Sequence, residues 1–210
     1  MKTLFVVFIT LFTCSAVSAK DILLFNSDIY GQPTSTNQAL IEKADPFLVK
    51  MFDYAKDHNI SALEDLRDNI ITRQDQSLLA AYYLALYIAA PDKYKQQYVD
   101  NFPVDDGIMN NYYARIELNR LTPSFLYSFN ALGLIAAEDN PKAIEKIVIG
   151  VNHSDGIAAE EFCDLLIKTF DKQMAETIKT LSRIDKGVRQ ETYSCIEMMN
   201  TDEYSAFKKT

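Results

Sequence analysis

The sequence predicts an all-α fold, and three observations support this prediction. Apolar residues recur three and four positions apart from Asp45 onward, which is the spacing of one face of a helix. Six Gly and six Pro among 210 residues are too few for the many tight turns of an all-β fold. The alternating pattern of a strand is nearly absent, apart from a short stretch at residues 22–25.

The helices follow one another along the chain as apolar stripes, and start signals precede four of the six. The stripes lie at residues 47–55, 63–70, 125–136, 144–151, 158–169 and 174–181. Three dipeptides place a capping residue before a proline at the first helical position: Asp45-Pro46, Thr122-Pro123 and Asn140-Pro141. Ser61 and Glu64 have the spacing of a capping box.

The longest apolar run and two polar segments complete this description. Residues Leu78 to Ala90 form a run of 13, the length of a buried helix and too short for a bilayer span. Residues 26–37 and 103–111 are rich in small polar residues, Gly or Pro, and predict loops. The second loop contains a predicted turn at Asp105, Asp106 and Gly107.

The amino terminus has the pattern of a secretory signal peptide. Residues 1–19 comprise a basic start at Lys2, an apolar stretch and the small residues Val17-Ser18-Ala19. An uncleaved anchor and a lipoprotein anchor at Cys14 are weaker alternatives, because polar residues dilute the apolar stretch and bulky residues precede the cysteine. We therefore predict a signal peptide at 1–19, an arm or loop at 20–44 and one all-helical domain at 45–210, in the periplasm or secreted.

The spacing of the helices indicates a repeat. Predicted second helices begin near Asn140, Asp171 and Asp202, 31 residues apart, and the boundaries near Ile60 and Pro91 differ by the same number. This spacing predicts helical hairpins stacked as a short α-solenoid or an irregular right-handed array, with a compact helical bundle as the alternative. In this respect the chain resembles HEAT-like or tetratricopeptide-like helical repeats. The resemblance concerns architecture and implies no functional residue.

Two cysteines remain after the signal peptide, and they predict a disulfide between Cys163 and Cys195. An exported protein meets oxidising conditions, in which disulfides form and persist. A metal pair or a catalytic thiol is less well supported, because the chain has no C-x-x-C motif and its nearest histidine, His153, lies ten residues before Cys163. At the 31-residue offset Cys163 corresponds to Ser194, beside Cys195, so the pairing and the repeat agree.

The chemistry in the sequence argues against most enzyme classes. A formal net charge of −8 opposes nucleic-acid binding, and no metal-hydrolase, nucleophile or phosphate-loop motif can be written, so no cofactor is predicted. His58 and His153 each follow a helical stripe, where the helix dipole favours a histidine. A metal-assisted hydrolase using the carboxylates of Glu160, Asp164 or Asp105 remains an alternative.

Tyrosines give the strongest sign of a binding surface. Tyr82, Tyr83, Tyr112 and Tyr113, with the loop carboxylates of Asp105 and Asp106, are the candidate partner-binding residues, because tyrosine is enriched at interfaces. The alternative is that these rings complete the core, with their hydroxyls at its rim.

The functional hypothesis is an exported, non-enzymatic helical-repeat protein that binds a protein partner, with no membrane insertion after signal cleavage. The acidic charge favours a basic partner, as for a periplasmic immunity or inhibitor protein that covers a toxin or hydrolase. A carbohydrate-binding module that uses the tyrosine cluster is a second alternative to this hypothesis.

Overall fold

The computed structural model describes residues 45–116, 121–122, 126–153, 156–184, 192 and 195. Within these residues all regular secondary structure is helical, which confirms the all-α class. The predicted signal peptide at 1–19, the arm at 20–44 and the short strand pattern at 22–25 lie outside the described residues. Ten helical segments are named in chain order: α1 Pro46–Lys56, α2 Ile60–Glu64, α3 Arg67–Thr72, α4 Gln76–Ala89, α5 Pro91–Asn101, α6 Asp106–Ile116, α7 Tyr127–Ala137, α8 Pro141–His153, α9 Gly156–Lys172 and α10 Met174–Arg183.

Side-chain caps fix several helix starts, and two of the predicted caps are confirmed. The Asp45 carboxylate accepts from the Phe47 amide at 2.8 Å before α1. The Asn140 side chain accepts from the amides of Lys142 and Ala143 at 3.1 and 3.0 Å before α8. These bonds satisfy amides of the first turn that have no partner within the helix.

The predicted capping box at Ser61 and Glu64 is wrong. The helix begins two residues earlier than that motif requires, because the Asn59 side chain accepts from the Ala62 amide at 3.2 Å and caps α2 at Ile60. An asparagine two residues upstream supplies the same oxygen acceptor, so the start moves with it.

Two other local predictions fail for comparable reasons. Residues 103–111 are only partly a loop, because α6 begins at Asp106. The carboxylate of Asp105 caps this helix by accepting a hydrogen bond from the Gly107 amide at 3.1 Å. Thr122-Pro123 does not begin α7, because that helix starts at Tyr127 and Leu126 before it has a left-handed φ of 62°. Pro123 itself lies outside the described residues.

Helix α4 is the central element of the amino-terminal half. It packs against α1, α5 and α6, and also contacts α2 and α3, so the predicted buried helix at the long apolar run is confirmed. A helix that is apolar around most of its circumference is stable only when neighbours cover every side. In the described part of the chain, no helix combines the length and apolarity needed to cross a membrane.

The carboxy-terminal half is organised around α8 and α9. These two helices pack against each other, α7 packs against both, and α10 packs mainly on α8. The two halves meet where α5 contacts α8, and their buried apolar residues belong to one continuous core.

Phe102 lies at the centre of this junction. Its ring contacts those of Tyr98, Tyr112, Phe129 and Phe162 edge-on, at centroid distances between 5.7 and 6.0 Å. These rings come from α5, α6, α7 and α9, so one side chain joins four helices from both halves. Edge-to-face contacts of this kind stabilise beyond the area that they bury.

Several contacts join residues about one predicted repeat apart. The His58 ring nitrogen Nδ1 bonds the Ala89 carbonyl, 31 residues away, at 2.8 Å, and the Tyr98 hydroxyl donates to the Ser128 carbonyl, 30 residues away, at 2.5 Å. Such contacts are expected wherever consecutive helix pairs lie side by side. The stacked array and the compact bundle both remain predictions.

Cys163 and Cys195 lie at disulfide distance, as the sequence predicts. Their Cα atoms are 5.5 Å apart across a sequence separation of 32, and each residue is only 8% exposed. This Cα separation is typical of disulfides. The pair therefore connects α9 with a residue that follows α10 in the chain.

Candidate functional site

The described surface contains a groove of about 520 Å³ between the short helices α2 and α3 on one side and α4 and α5 on the other. We call it the tyrosine groove, because Tyr82, Tyr83 and Tyr94 contribute to its walls. The remaining lining residues are Glu64, Asp65, Arg67, Asp68, Leu86 and Gln97. Its volume lies in the range of small-ligand sites, which are usually about 300–1,000 Å³.

Tyr82 forms part of the groove wall and is only 1% exposed. Its hydroxyl is buried and has no hydrogen-bond partner among the described residues. Burial, reinforced by the nearby hydroxyls of Tyr83 and Tyr94, raises the pKa of Tyr82 to about 12. The group therefore stays protonated at any physiological pH and remains a hydrogen-bond donor without an acceptor.

Two residues of the groove wall, Glu64 and Tyr94, are paired with each other and with Lys93. The Glu64 carboxylate accepts from the Tyr94 hydroxyl at 2.5 Å and from the Lys93 ammonium at 2.9 Å. That ammonium also lies over the Tyr94 ring, 4.9 Å from its centroid. The bond from Tyr94 and then that from Lys93 lower the pKa of Glu64 below its ordinary value. One cation, the Lys93 ammonium, thus already lies between a carboxylate and an aromatic ring that both belong to the groove wall.

Three charged residues of the groove have no such pairing. Asp65, Arg67 and Asp68 are exposed, and their charged groups make no hydrogen bond or ion pair within the described residues. All three lie at or near the junction of α2 and α3. Considering only the part of the chain that the structure describes, the rim presents two carboxylates and one guanidinium without a hydrogen-bond or ion-pair partner.

The predicted tyrosines divide between the groove and the core. Tyr82 and Tyr83 line the groove, with their rings edge-on at 5.4 Å, whereas Tyr112 is 0% exposed and packs against Phe102. Tyr113 is half-buried on α6 and does not line the groove. Helix packing covers the rings of Tyr82 and Tyr112, which favours the alternative that these two rings complete the core, and the partner-binding role of the tyrosines stays a prediction. Tyr83 is half-buried beside Tyr82, and the carbohydrate-binding alternative stays a prediction.

Asp105 and Asp106 lie at a different place. Asp105 lines a second groove of about 370 Å³ with residues at the start of α4 and in α6, and its carboxylate caps α6. Asp106 is the first residue of that helix. In the same groove Asp75 pairs with Arg115 at 2.8 Å. Although burial raises it, the pKa of Asp75 is lowered overall, by bonds from the Leu78 amide, Ser77 and Arg115.

The carboxylates considered for a hydrolase are not assembled into one site. Glu160 and Asp164 are exposed on α9, and neither lines the groove that contains Asp105. Among the residues described, no three His, Cys, Asp or Glu side chains come close enough to hold a metal ion. His58 and His153 lie at the ends of α1 and α8, as predicted, and His58 is held by the Ala89 carbonyl.

Sequence reasoning missed the charged side of the tyrosine groove. Glu64 was assigned to a helix cap, and Asp65, Arg67 and Asp68 had no role, because a run of mixed charges usually marks a solvated helix surface. The sequence shows these charges beside the apolar stripe at 63–70. It does not show which helix packs opposite them.

No family model, curated protein or solved structure matches this chain.

Proposed function

We propose that this protein is an exported, non-enzymatic binding protein whose tyrosine groove accepts a basic segment of a partner protein. The observation that carries the proposal is the pair of exposed carboxylates, Asp65 and Asp68, at the rim of a groove walled by tyrosines, where neither has a partner among the described residues. Aromatic walls with a few convergent polar groups are typical of binding sites.

The internal set around Glu64 illustrates the recognition that the groove supports. There the Lys93 ammonium lies between a carboxylate and the Tyr94 ring. A cation over a tyrosine face gains about 0.5–1 kcal/mol at exposed sites and more when water is excluded. Asp65 and Asp68, near the half-buried ring of Tyr83, offer the same two elements to a cation from outside.

The overall charge supports the same class of partner. At −8 the chain attracts a basic protein over distances up to about one Debye length, roughly 8–10 Å at physiological salt, and this attraction raises the association rate. A periplasmic immunity or inhibitor protein works by this chemistry when its acidic surface covers the basic site of a toxin or hydrolase. The predicted signal peptide and the Cys163–Cys195 pair suit an oxidising compartment outside the cytoplasm.

Site-specific photo-crosslinking in the source organism tests the proposal. A photoreactive amino acid replaces Gln97, an exposed groove residue, and a matched chain carries it at Lys172, exposed at the end of α9. We expect one dominant protein adduct from position 97 only, with Lys or Arg in the crosslinked partner peptide.

A charge variant makes this test specific. The double substitution Asp65→Asn with Asp68→Asn should abolish the adduct, whereas Glu160→Gln with Asp164→Asn, which changes the net charge equally on α9, should leave it intact. Equal adducts from both crosslinker positions, or loss of the adduct in both charge variants, would show that the groove does not recognise a basic partner.

A further inference from the structure

The sequence contains two acceptor motifs for N-linked glycosylation, and their surroundings in the fold differ. Asn59-Ile60-Ser61 and Asn152-His153-Ser154 both have the pattern of an asparagine, any residue except proline, and then a serine or threonine. In such a motif the glycan is attached to the side-chain nitrogen Nδ2 of the asparagine, and it is bulky and belongs on the surface. The exposure of that residue and the hydrogen bonds of its Nδ2 therefore decide whether the folded chain accommodates a glycan.

Asn59 lies in the short connection between α1 and α2. This connection consists of Asp57, His58 and Asn59, and all three residues are exposed. His58 has a left-handed φ of 53°, and the Ile60 amide donates to the His58 carbonyl at 3.0 Å. A bond between residues two positions apart closes a tight turn, so Asn59 is the central residue of an exposed turn between two helices.

The two polar atoms of the Asn59 side chain have different roles. Its oxygen Oδ1 accepts from the Ala62 amide at 3.2 Å and caps α2, whereas Nδ2 has no hydrogen-bond partner among the described residues. A sugar bonded to Nδ2 replaces one hydrogen of the amide and leaves Oδ1 unchanged, so the helix keeps its cap. Ser61, which completes the motif, is exposed as well. The fold therefore accommodates a glycan at Asn59 without losing a contact.

Asn152 on α8 is the opposite case. It is half-buried, and its Nδ2 donates to the Val148 carbonyl and to the Thr192 hydroxyl, each at 2.8 Å. Thr192 is itself 0% exposed. A glycan on this nitrogen would remove one of the two hydrogen bonds and would bring a sugar ring against closely packed residues. The folded chain therefore does not accommodate a glycan at Asn152.

We propose that Asn59 is an N-glycosylation site of the exported protein and that Asn152 is not modified. The co-substrate is an oligosaccharide linked to a lipid diphosphate, and the predicted signal peptide would deliver the chain to the compartment of such transfers. The Nδ2 nitrogen attacks the anomeric carbon of the sugar, so that a C–N bond forms while the bond from that carbon to the diphosphate oxygen breaks. Nδ2 loses one proton, and the lipid diphosphate leaves with the electron pair of the broken bond.

The residues before the two asparagines distinguish the same site. The exposed Asp57 stands two positions before Asn59, whereas Gly150 stands two positions before Asn152. Of the two motifs, only the one at Asn59 therefore offers a carboxylate to a transferase that contacts its acceptor on both sides of the asparagine.

Mass spectrometry of the protein purified from its source organism tests the proposal. After reduction, trypsin releases the two motifs in separate peptides, residues 57–67 and residues 147–168. We expect the first peptide to carry the added mass and the sugar fragment ions of a glycan, and the second to be found without one. An unmodified 57–67 peptide, or a glycan at Asn152, would overturn the proposal.

Variants expressed in the same organism assign the glycan to the motif. Asn59→Asp removes the acceptor nitrogen and keeps an oxygen that caps α2, and Ser61→Ala removes the hydroxyl that the motif requires. Both variants should lose the glycan completely and keep the helical circular dichroism of the natural chain. Ser61→Thr, the matched control, preserves the motif and should keep the glycan.

Two outcomes with the variants would also overturn the proposal. A glycan that persists in Asn59→Asp would be attached to another residue, and a glycan lost in Ser61→Thr would not depend on the motif. The proposed function is judged separately, because Asn59 does not line the tyrosine groove and the crosslink at position 97 requires no glycan.

Discussion

Replacing Phe102 by alanine should destabilise the whole fold rather than one helix. The ring is 1% exposed and contacts Tyr98, Tyr112, Phe129 and Phe162. Truncating a buried phenylalanine typically costs about 3–5 kcal/mol, and four edge-to-face contacts place this site in the upper part of that range. For a chain of 210 residues this corresponds to a decrease of about 8–20 °C in the melting temperature.

Chemical and thermal unfolding followed by circular dichroism measure this loss. Phe102→Leu, which keeps most of the apolar volume, should cost less than about 1.5 kcal/mol. Ile71→Ala, at a side chain that is 47% exposed, should remain within about 0.5 kcal/mol of the natural chain. A loss below about 1 kcal/mol for Phe102→Ala, or two separate transitions in the natural chain, would refute the role of Phe102 as the junction of one cooperative core.

Two further predictions concern the disulfide and the paired carboxylate of the groove. Replacing Cys163 and Cys195 together by alanine should lower the free energy of unfolding by about 3–4 kcal/mol, because the bridge closes a loop of about 33 residues. Equal denaturation midpoints of the natural chain with and without reductant would contradict this prediction. Because bonds from Tyr94 and Lys93 lower the pKa of Glu64, its ionised form stabilises the fold above the ordinary value of 4.5, and this contribution is lost as the pH falls through the lowered pKa. Glu64→Gln should therefore flatten the fall in melting temperature below pH 4.5, and an unchanged acid limb would exclude this contribution.

Apolar spacing predicted the helices well, because the core selects the same face that the pattern marks. The first stripe is an example, since Leu48, Met51, Phe52 and Ala55 are all buried on α1. In the same way the stripe at 158–169 corresponds to the buried face of α9. The prolines after Asp45 and Asn140 also begin helices as expected.

Cap chemistry was less predictable, because several nearby residues can satisfy the same free amides. Asn59 rather than Ser61 caps α2, and Asp105 converts part of a predicted loop into α6. A sequence shows every residue that is able to cap a helix. Only the path of the chain decides which of them faces the helix end.

The candidate site depends on contacts between distant segments, and sequence reasoning reached only part of it. The sequence indicates Tyr82 and Tyr83 as candidate binding residues, but it did not place them opposite Asp65, Arg67 and Asp68. Likewise Tyr112 shares the composition of the cluster and yet lies in the core. Tyrosine has an apolar ring and a polar tip, so its type alone fits both environments.

Local information in the chain was sufficient for the helical class, most helix positions and the pairing of Cys163 with Cys195, since these depend on periodicity, short-range caps and the count of thiols. The packing of helices decided which tyrosines line a groove and, among the described residues, which carboxylates there have no partner and which hydroxyl is buried without an acceptor. Those properties arise from the relative placement of segments about 15 to 30 residues apart, such as Arg67 and Tyr82, or Glu64 and Tyr94. The shared core sets this placement. Many apolar side chains would satisfy the same sequence pattern, but only side chains of particular shapes pack together at a given position.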